Sequence, residues 1–419
     1  MRVVHLSTYD ILGGAAGAAH RLHVGLHRAG ADSRMIVAWK HGDDQSVREI
    51  GPAAGLTRWR RAARRRLINL PMRRYRSVRP AGCDMFSVAR SAFGRELVRL
   101  LPECDVIHLH WVAELVDCER FLPAAAKLAP IVWTLHDMNP FTGGCHYSGS
   151  CRRFTERCGA CPQLGLGRDG DLSRRIWRRK ARALGRVADD RLTVVGPSRW
   201  MTDLAARSSL MGRFRSASIA NGVDTDVFVP QDKSAARREL NLPPGARIVL
   251  FIAHDLTNRR KGAGVLMDAL GRAGDVPGLL LVTVGLAEVA PPAGIAHRHV
   301  GQVADETTMA RLYNAAAVLA IPSQEDNLPN TMLEAMACGL PVAGSAVGGI
   351  AETVRPGETG LLAEAGDSQG LAQIISRLLT DEAARRRMAE NCRQAAERDL
   401  SLGAMAGAYM QLYRQLVGQ

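Results

Sequence analysis

Long apolar runs are absent from this sequence. The longest, Ile248 to Ala253 and Leu279 to Gly285, fall far short of the roughly 18 to 20 residues that cross a bilayer, so no segment is expected to span a membrane. The first ten residues, MRVVHLSTYD, have neither the charged start nor the apolar stretch of a secretory signal, and the expected compartment is the cytoplasm. Aromatic side chains make up only 5% and charged ones 23%, against 47% hydrophobic. That balance excludes wholesale disorder and a fibrous repeat, and the length of 419 residues suits about two folded domains.

Lysine is nearly missing as well. Lys40, Lys127, Lys180, Lys233 and Lys261 are the only lysines among 55 basic residues. A skew of that kind accompanies a GC-rich genome, so the net charge of +14 says less about partners than its distribution does. Between Arg58 and Arg79 there are ten arginines and no acidic residue. Trp59, Ala63, Leu67 and Leu70 recur there at roughly helical spacing before Pro71, and this basic segment, residues 58–80, would suit an anionic lipid surface. A solvated insertion is the alternative. No nucleic-acid-binding motif accompanies the arginines, and nucleic acid is not expected as a partner.

Nine cysteines, an odd number in a chain without a signal, argue against a disulfide framework. Four of them, Cys145, Cys151, Cys158 and Cys161, crowd into residues 143–165, a Gly- and Arg-rich stretch that ends in CGAC. Four thiolates closing two adjacent loops would make a tetrahedral structural zinc site in a segment with no hydrophobic core of its own. The spacing is not that of a zinc ribbon, and reduced thiols, redox pairs or an iron–sulfur cluster are the alternatives. Cys83, Cys104, Cys118, Cys338 and Cys392 are expected to be small buried hydrophobes.

The remainder alternates short apolar strands with helical patterns. Val3 to Leu6, Met35 to Ala38, Val106 to Leu109, Ile131 to Leu135 and Leu192 to Val195 form one series. Ile248 to Ala253, Leu279 to Val284, Val318 to Ile321, Pro341 to Ala343 and Leu361 to Ala363 form the next. The pattern predicts an α/β protein with two doubly wound parallel sheets, jointed in the Pro-, Asp- and Asn-rich stretch Asn221 to Gly245. The first domain is expected over residues 1–225, completed by a C-terminal helix over 403–419, and the second over 226–402. Ligands of such sheets bind at the carboxyl ends of the strands, hence in a cleft between the domains.

Two motifs carry chemistry. Gly13 and Gly14 stand between the first strand and a helix, where a bare backbone lets a bulky anion approach the helix amides. The spacing is not GxGxxG, which speaks against a nicotinamide site. The second motif is SQEDNLPNTMLEAMACGLPV. Here Asp326 lies on a loop, Glu334 is expected in the first turn of a helix beginning near Thr331, and Gly339 with Pro341 ends that helix. Carboxylates suit sugar hydroxyls, and helix-terminal amides suit a diphosphate. Thr331 and Glu334 also fit a capping box, a purely structural use.

These segments, together with TLHD at His136, GPSRWM from Gly196, NGVDTDVF from Asn221, RKG at Arg260 and Lys261, and GGIAE from Gly348, resemble family 4 of the retaining glycosyltransferases over nearly the whole chain. The resemblance is to members with bacterial exopolysaccharide, capsule or O-antigen roles. It implies the GT-B fold, two facing Rossmann-like domains. It also implies that Glu334 holds the nucleotide ribose, and that Asp326, with the backbone of Asn327, Leu328, Pro329, Asn330 and Thr331, holds the transferred sugar. Lys261 would bind the donor diphosphate, and His136 would contact the sugar near its reacting carbon. Gly13 and Gly14 would converge on the same pocket. The family's first acidic residue is usually Glu and is here Asp326. Its usual arginine is replaced by Leu256, so that Arg260 or Arg259 must serve. The implied activity is metal-independent transfer from a UDP- or GDP-sugar to a glycan or polyprenyl-diphosphate-linked acceptor in surface polysaccharide synthesis. No cofactor is needed, and the protein would be cytoplasmic or peripheral on the inner face of the plasma membrane. The competing readings are a nucleotide-sugar epimerase of the same fold and a non-catalytic scaffold with a decayed site.

Overall fold

The computed structural model describes residues 1–50, 56–94, 96–273 and 276–418, with the backbone alone at residues 56–58, so the Arg58 side chain of the basic segment lies outside the described residues. The chain divides into two compact units, Met1–Ala220 with the stretch from Ala406, and Asn221–Met405.

The first unit holds seven strands: β1 (Arg2–Tyr9), β2 (Asp32–Trp39), β3 (Val47–Glu49), β4 (Val106–Leu109), β5 (Ile131–Thr134), β6 (Leu192–Gly196) and β7 (Arg215–Ser218). They form one parallel sheet in the order β3-β2-β1-β4-β5-β6-β7. The inner strands β4, β5 and β6 are buried throughout, as a parallel sheet covered by helices on both faces requires. Ile107, Leu109, Ile131 and Trp133 enter one core with Val4, Leu6 and Phe121. Strand order reverses between β1 and β4, where His5 pairs with His108 in register.

The second unit holds β8 (Arg247–Asp255), β9 (Leu279–Leu286), β10 (Ala296–Gly301), β11 (Val318–Ile321), β12 (Val342–Ser345) and β13 (Gly360–Ala363). Their order is β10-β9-β8-β11-β12-β13, again all parallel, with the reversal between β8 and β11.

Three strands lie outside the sequence expectation: β3, β7 and β10. Each is a sheet edge, and β7 (RSAS) and β10 (AHRHVG) are largely exposed or half-exposed. An edge strand has one unpaired side and little need for apolar residues, so hydrophobic runs do not reveal it.

The last helix, Leu402–Val417, carries its final turns into the first unit. There Tyr413 Oη lies 2.6 Å from His108 Nδ1 and Tyr409 Oη 2.7 Å from Thr134 Oγ1, with all four side chains buried. In the basic segment a helix spans Leu56–Asn69 and continues as a 3-10 turn, Leu70–Tyr75. Its inward face docks through Ile68, through Arg61 on Glu96 (2.9 Å) and through Arg65 on Glu114 (2.7 Å). Its outward face presents Trp59, 75% exposed, and Leu67, 69% exposed. Among the described residues no helix is long and apolar enough to cross a membrane.

Candidate functional site

Strands β8 and β11 are neighbours at the reversal of the second sheet, so the loops leaving their carboxyl ends emerge side by side. After β8 comes a 3-10 turn, Arg259–Lys261, capped by Asn258, whose side chain accepts from the Arg260 amide. After β11 come Pro322 and Ser323, then Asp326. The two loops touch closely. Gly262 has φ +76°, and a Cβ there would stand 1.9 Å from the Pro322 carbonyl oxygen. Glycine is therefore required by conformation and by space together. The Gln324 amide donates to the Arg260 carbonyl at 2.7 Å, which ties the loops a second time.

This junction brings three charges together. Lys261 Nζ donates to Asp326 Oδ2 at 2.6 Å, Arg260 Nη1 lies 3.4 Å from Asp326 Oδ1, and Ser323 Oγ donates to Oδ2 at 3.1 Å. Arg260 also donates to the Glu325 carbonyl at 2.8 Å. Asp326 is 4% exposed. Burial opposes its ionisation, but the Lys261 ammonium and the Arg260 guanidinium outweigh that and hold the carboxyl below its ordinary value. Arg260, not the exposed Arg259, is the arginine on this carboxylate. Leu256, at the position of the family's usual arginine, is wholly buried in the core.

The helix that follows runs Asn330–Ala337 with Pro329 at its N-cap. Thr331 is thus inside the helix, and the capping-box reading fails because the cap position belongs to a residue without a side-chain acceptor. Glu334 falls in the second turn rather than the first. Its Oε2 accepts from Tyr313 Oη at 2.7 Å in a buried contact. Asn327 turns its amide back to Asp326 Oδ1 at 3.1 Å. The Leu328 side chain is buried. Asn330 Oδ1 accepts from Asn221 Nδ2 at 3.2 Å, and Gly339, at φ +70°, closes the helix as expected.

In the first unit, Gly13 takes φ +88° at the N-cap of helix Gly14–Arg28, with nothing within 4 Å of a Cβ built on it and no acidic residue in the first turn. His136 follows β5. Its Nε2 lies 3.1 Å from His110 Nδ1, and His110 Nε2 lies 2.9 Å from His5 Nδ1. Burial brings the His136 pKa down to about 4 against a weaker pull from Asp137, and it drives His5, His108 and His110 well below the ordinary value. All four imidazoles are neutral near pH 7.

Residues 246–381 match the family model described as glycosyl transferases, group 1. Lys261, Asp326 and Glu334 all lie inside that segment. The D-inositol 3-phosphate glycosyltransferase of Corynebacterium urealyticum is 32% identical over 222 residues, which is 48% of this chain and 51% of the relative. The chain thus spans about half the length of the curated relatives it matches. Among solved structures, sucrose-phosphate synthase of Thermosynechococcus elongatus superposes with a TM-score of 0.67 at 22% identity, covering 100% of both chains. Anabaena HepE in complex with UDP-glucose superposes with a TM-score of 0.65 at 17% identity, covering 99% of this chain and 100% of that one. The fold is therefore that of the GT-B glycosyltransferases.

Outside the group 1 segment, the structure assembles groups that motif reading did not select. Asp137 accepts from Trp111 Nε1 at 2.8 Å and stands 2.6 Å from His146 Nδ1, while His146 Nε2 meets Ser87 Oγ at 2.8 Å. His5, His108 and His110 are, among the described residues, the one set of three or more ligand-type side chains whose donor atoms all lie within 4.8 Å of one another. Both nitrogens of His108 are engaged, by Tyr413 and by Thr134 Oγ1 at 2.7 Å. The sequence signal was present: His108 and His110, two apart, face the same side of the sheet. The four clustered cysteines line one small cavity, although no three of their sulfurs all lie within 4.8 Å of one another. Cys83 and Cys104 are only partly buried, contrary to expectation, while Cys118, Cys338 and Cys392 are buried.

Proposed function

We propose that this chain is a retaining glycosyltransferase that takes a sugar from a UDP- or GDP-sugar and attaches it to a glycan or a polyprenyl-diphosphate-linked acceptor in surface polysaccharide synthesis. The observation that carries the reading is the gathering of Lys261 and Arg260 on Asp326 where the second sheet reverses, 2.6 and 3.4 Å from its two oxygens.

In this reading the donor diphosphate lies against Lys261 and Arg260. The Lys261 ammonium, held by Asp326 in the free protein, gains the diphosphate as a second anion, and Asp326 offers lone pairs to sugar hydroxyls. Glu334, oriented by Tyr313, accepts from the ribose hydroxyls. The bond between the anomeric carbon and the diphosphate oxygen breaks and leaves an oxocarbenium-like sugar. The acceptor oxygen attacks from the same face, and its proton passes to the departing diphosphate. The growing negative charge on that diphosphate is what the two fixed cations stabilise, and preorganised charge of this kind supplies much of an enzyme's rate enhancement. Neutral His136 is suited to hydrogen-bond the sugar beside the reacting carbon without repelling its positive charge. No metal step is needed.

Support for the donor class comes from Anabaena HepE, whose structures contain UDP-glucose, or UDP with glucose. The curated relatives favour a second reading of the acceptor alone, since they are D-inositol 3-phosphate glycosyltransferases: a phosphorylated cyclitol in place of the lipid-linked glycan. The outward arginines and Trp59 favour a peripheral position on an anionic membrane surface.

The test is a panel of UDP- and GDP-sugars, followed by nucleoside diphosphate release and product analysis, with and without lipid-linked glycan or inositol phosphate. Acceptor-dependent release, lost in Lys261→Ala, is expected. Epimerised donor formed without acceptor would make the protein an epimerase, and no turnover of any donor would favour the scaffold.

A further inference from the structure

The cysteine cavity is outside the transferase reading and independent of it. Cys145 and Cys151 precede the CGAC turn that carries both Cys158 and Cys161, in a segment whose regular structure is 3-10 turns at Arg153–Thr155 and Pro162–Leu164. All four border one cavity of about 20 Å³, and every pair of the four sulfurs is near enough to interact electrostatically. None is in a disulfide. A space of that size would hold a single water or a single ion.

One backbone donor is aimed at a sulfur of the cluster. The Gly143 amide donates to Cys158 Sγ at 3.1 Å. A Cβ on Gly143 would stand 2.7 Å from the Cys158 Cβ and 2.5 Å from the Ser173 carbonyl, so the amide reaches the sulfur only because the residue is glycine. The CGAC turn is held by Gly159 at φ +155° and by Ala160 at φ +44°, a conformation few alanines adopt. Asp171 Oδ2 accepts from the Cys161 amide at 2.8 Å, while Oδ1 caps helix Leu172–Leu184 at the Arg174 amide. The turn is thereby locked to the helix.

The charge balance points the same way. Lys180 is 2% exposed, and its ammonium donates to the carbonyls of Asn139 and Thr142. A buried ammonium is costly. Its field reaches Cys118, Cys158 and Cys145, and the Asp137 carboxylate. A divalent cation in four thiolates carries a net charge of −2, of which the buried Lys180 would offset one unit.

We propose that Cys145, Cys151, Cys158 and Cys161 bind one structural zinc ion, with Lys180 and the Gly143 amide offsetting the charge of the thiolate cluster. Zinc–sulfur bonds are about 2.3 Å, so the sulfurs close in on the ion through side-chain rotation when it binds. The four protons released from the thiols pass to solvent. The segment is not without a core, contrary to what its lack of apolar runs suggested: Phe154 and Leu164 anchor it in the core of the first unit, and the ion would cross-link its turns further, in the stretch immediately after His136 and Asp137.

The test is elemental analysis of the full-length protein purified without chelator, followed by Co²⁺ exchange. About one zinc per chain is expected. The Co²⁺ form should show the sulfur-to-metal charge-transfer and d–d bands of tetrahedral thiolate coordination, and C158S and C161S should lose both metal and bands while C338S keeps them. Should the variants fail to fold, thiol titration of the wild type decides. The four thiols should be unreactive as purified and become reactive on chelator treatment, with loss of thermal stability. Metal-free protein whose four thiols react freely, or whose peptides are disulfide-linked, would overturn the proposal. Donor turnover is not needed for any of these readouts.

Discussion

Lys261 and Asp326, 65 positions apart in the chain, meet through a 2.6 Å charge-assisted hydrogen bond at the reversal of the second sheet. The pair couples stability to chemistry. Lys261→Ala should lower donor turnover by two or more orders of magnitude. It should also destabilise the protein by about 3 kcal/mol, because it leaves Asp326 buried with a weaker partner. Lys261→Arg keeps the charge and should recover most of the stability but little of the rate. Turnover kinetics and thermal melts of the two variants check this, and a neutral melt for Lys261→Ala would contradict the coupling.

Tyr313 meets the site at Glu334, to which its hydroxyl donates. Removing the hydroxyl in Tyr313→Phe should raise KM for the nucleotide sugar several-fold and leave kcat nearly unchanged. Glu334→Gln should raise KM further. A fall in kcat with constant KM for either variant would remove Glu334 from ribose binding.

The RKG glycine sets the position of Lys261. Gly262→Ala places a methyl group against the Pro322 carbonyl at a positive φ and should cost about 2 to 4 kcal/mol together with most of the activity. Gly264→Ala, in the adjoining helix with nothing within 4 Å of the new methyl, should be neutral or stabilising by up to about 1 kcal/mol. Paired melting curves measure both.

Acid should act through the histidine row. His23, fully buried, is held at about 4 by burial, as is His136, while His5 and His110 are held well below the ordinary value of 6.5. An imidazole with a depressed pKa binds its proton more readily in the unfolded chain. Stability is therefore complete above about pH 6.5 and is lost as the pH falls toward 4, by about 3 kcal/mol for one such group. Denaturant titrations between pH 7.5 and 4.5 should show that decline, and His23→Gln should flatten it. A stability independent of pH across this range would contradict the neutral row.

The outward face of the basic helix makes the membrane proposal measurable. Arg60, Arg66, Arg73 and Arg74 are exposed, as is Trp59. Anionic vesicles should shift Trp59 fluorescence to the blue, and reversing these four charges should abolish binding without altering the melt. Arg61 and Arg65 are poor choices, since both pair with acidic residues of their own unit.

Buried strands, the helix near Thr331, the Asp326 loop and the Gly339 stop were legible in the sequence because each leaves a local trace: an apolar run, a 3.6-residue period, a residue that alone tolerates its backbone angle. Composition and these traces determined two parallel α/β units and the acidic loop. Tertiary structure alone decided what depends on neighbours distant in the chain. It chose Arg260 over Arg259, gave Glu334 to Tyr313 rather than to a helix cap, and buried Lys180 near Cys118, Cys158 and Cys145. It also aligned His5, His110 and His136 across three parallel strands. Spacing along a chain reports which way a side chain points. What it meets there, and so its charge and its chemistry, is set by the packing of the sheet.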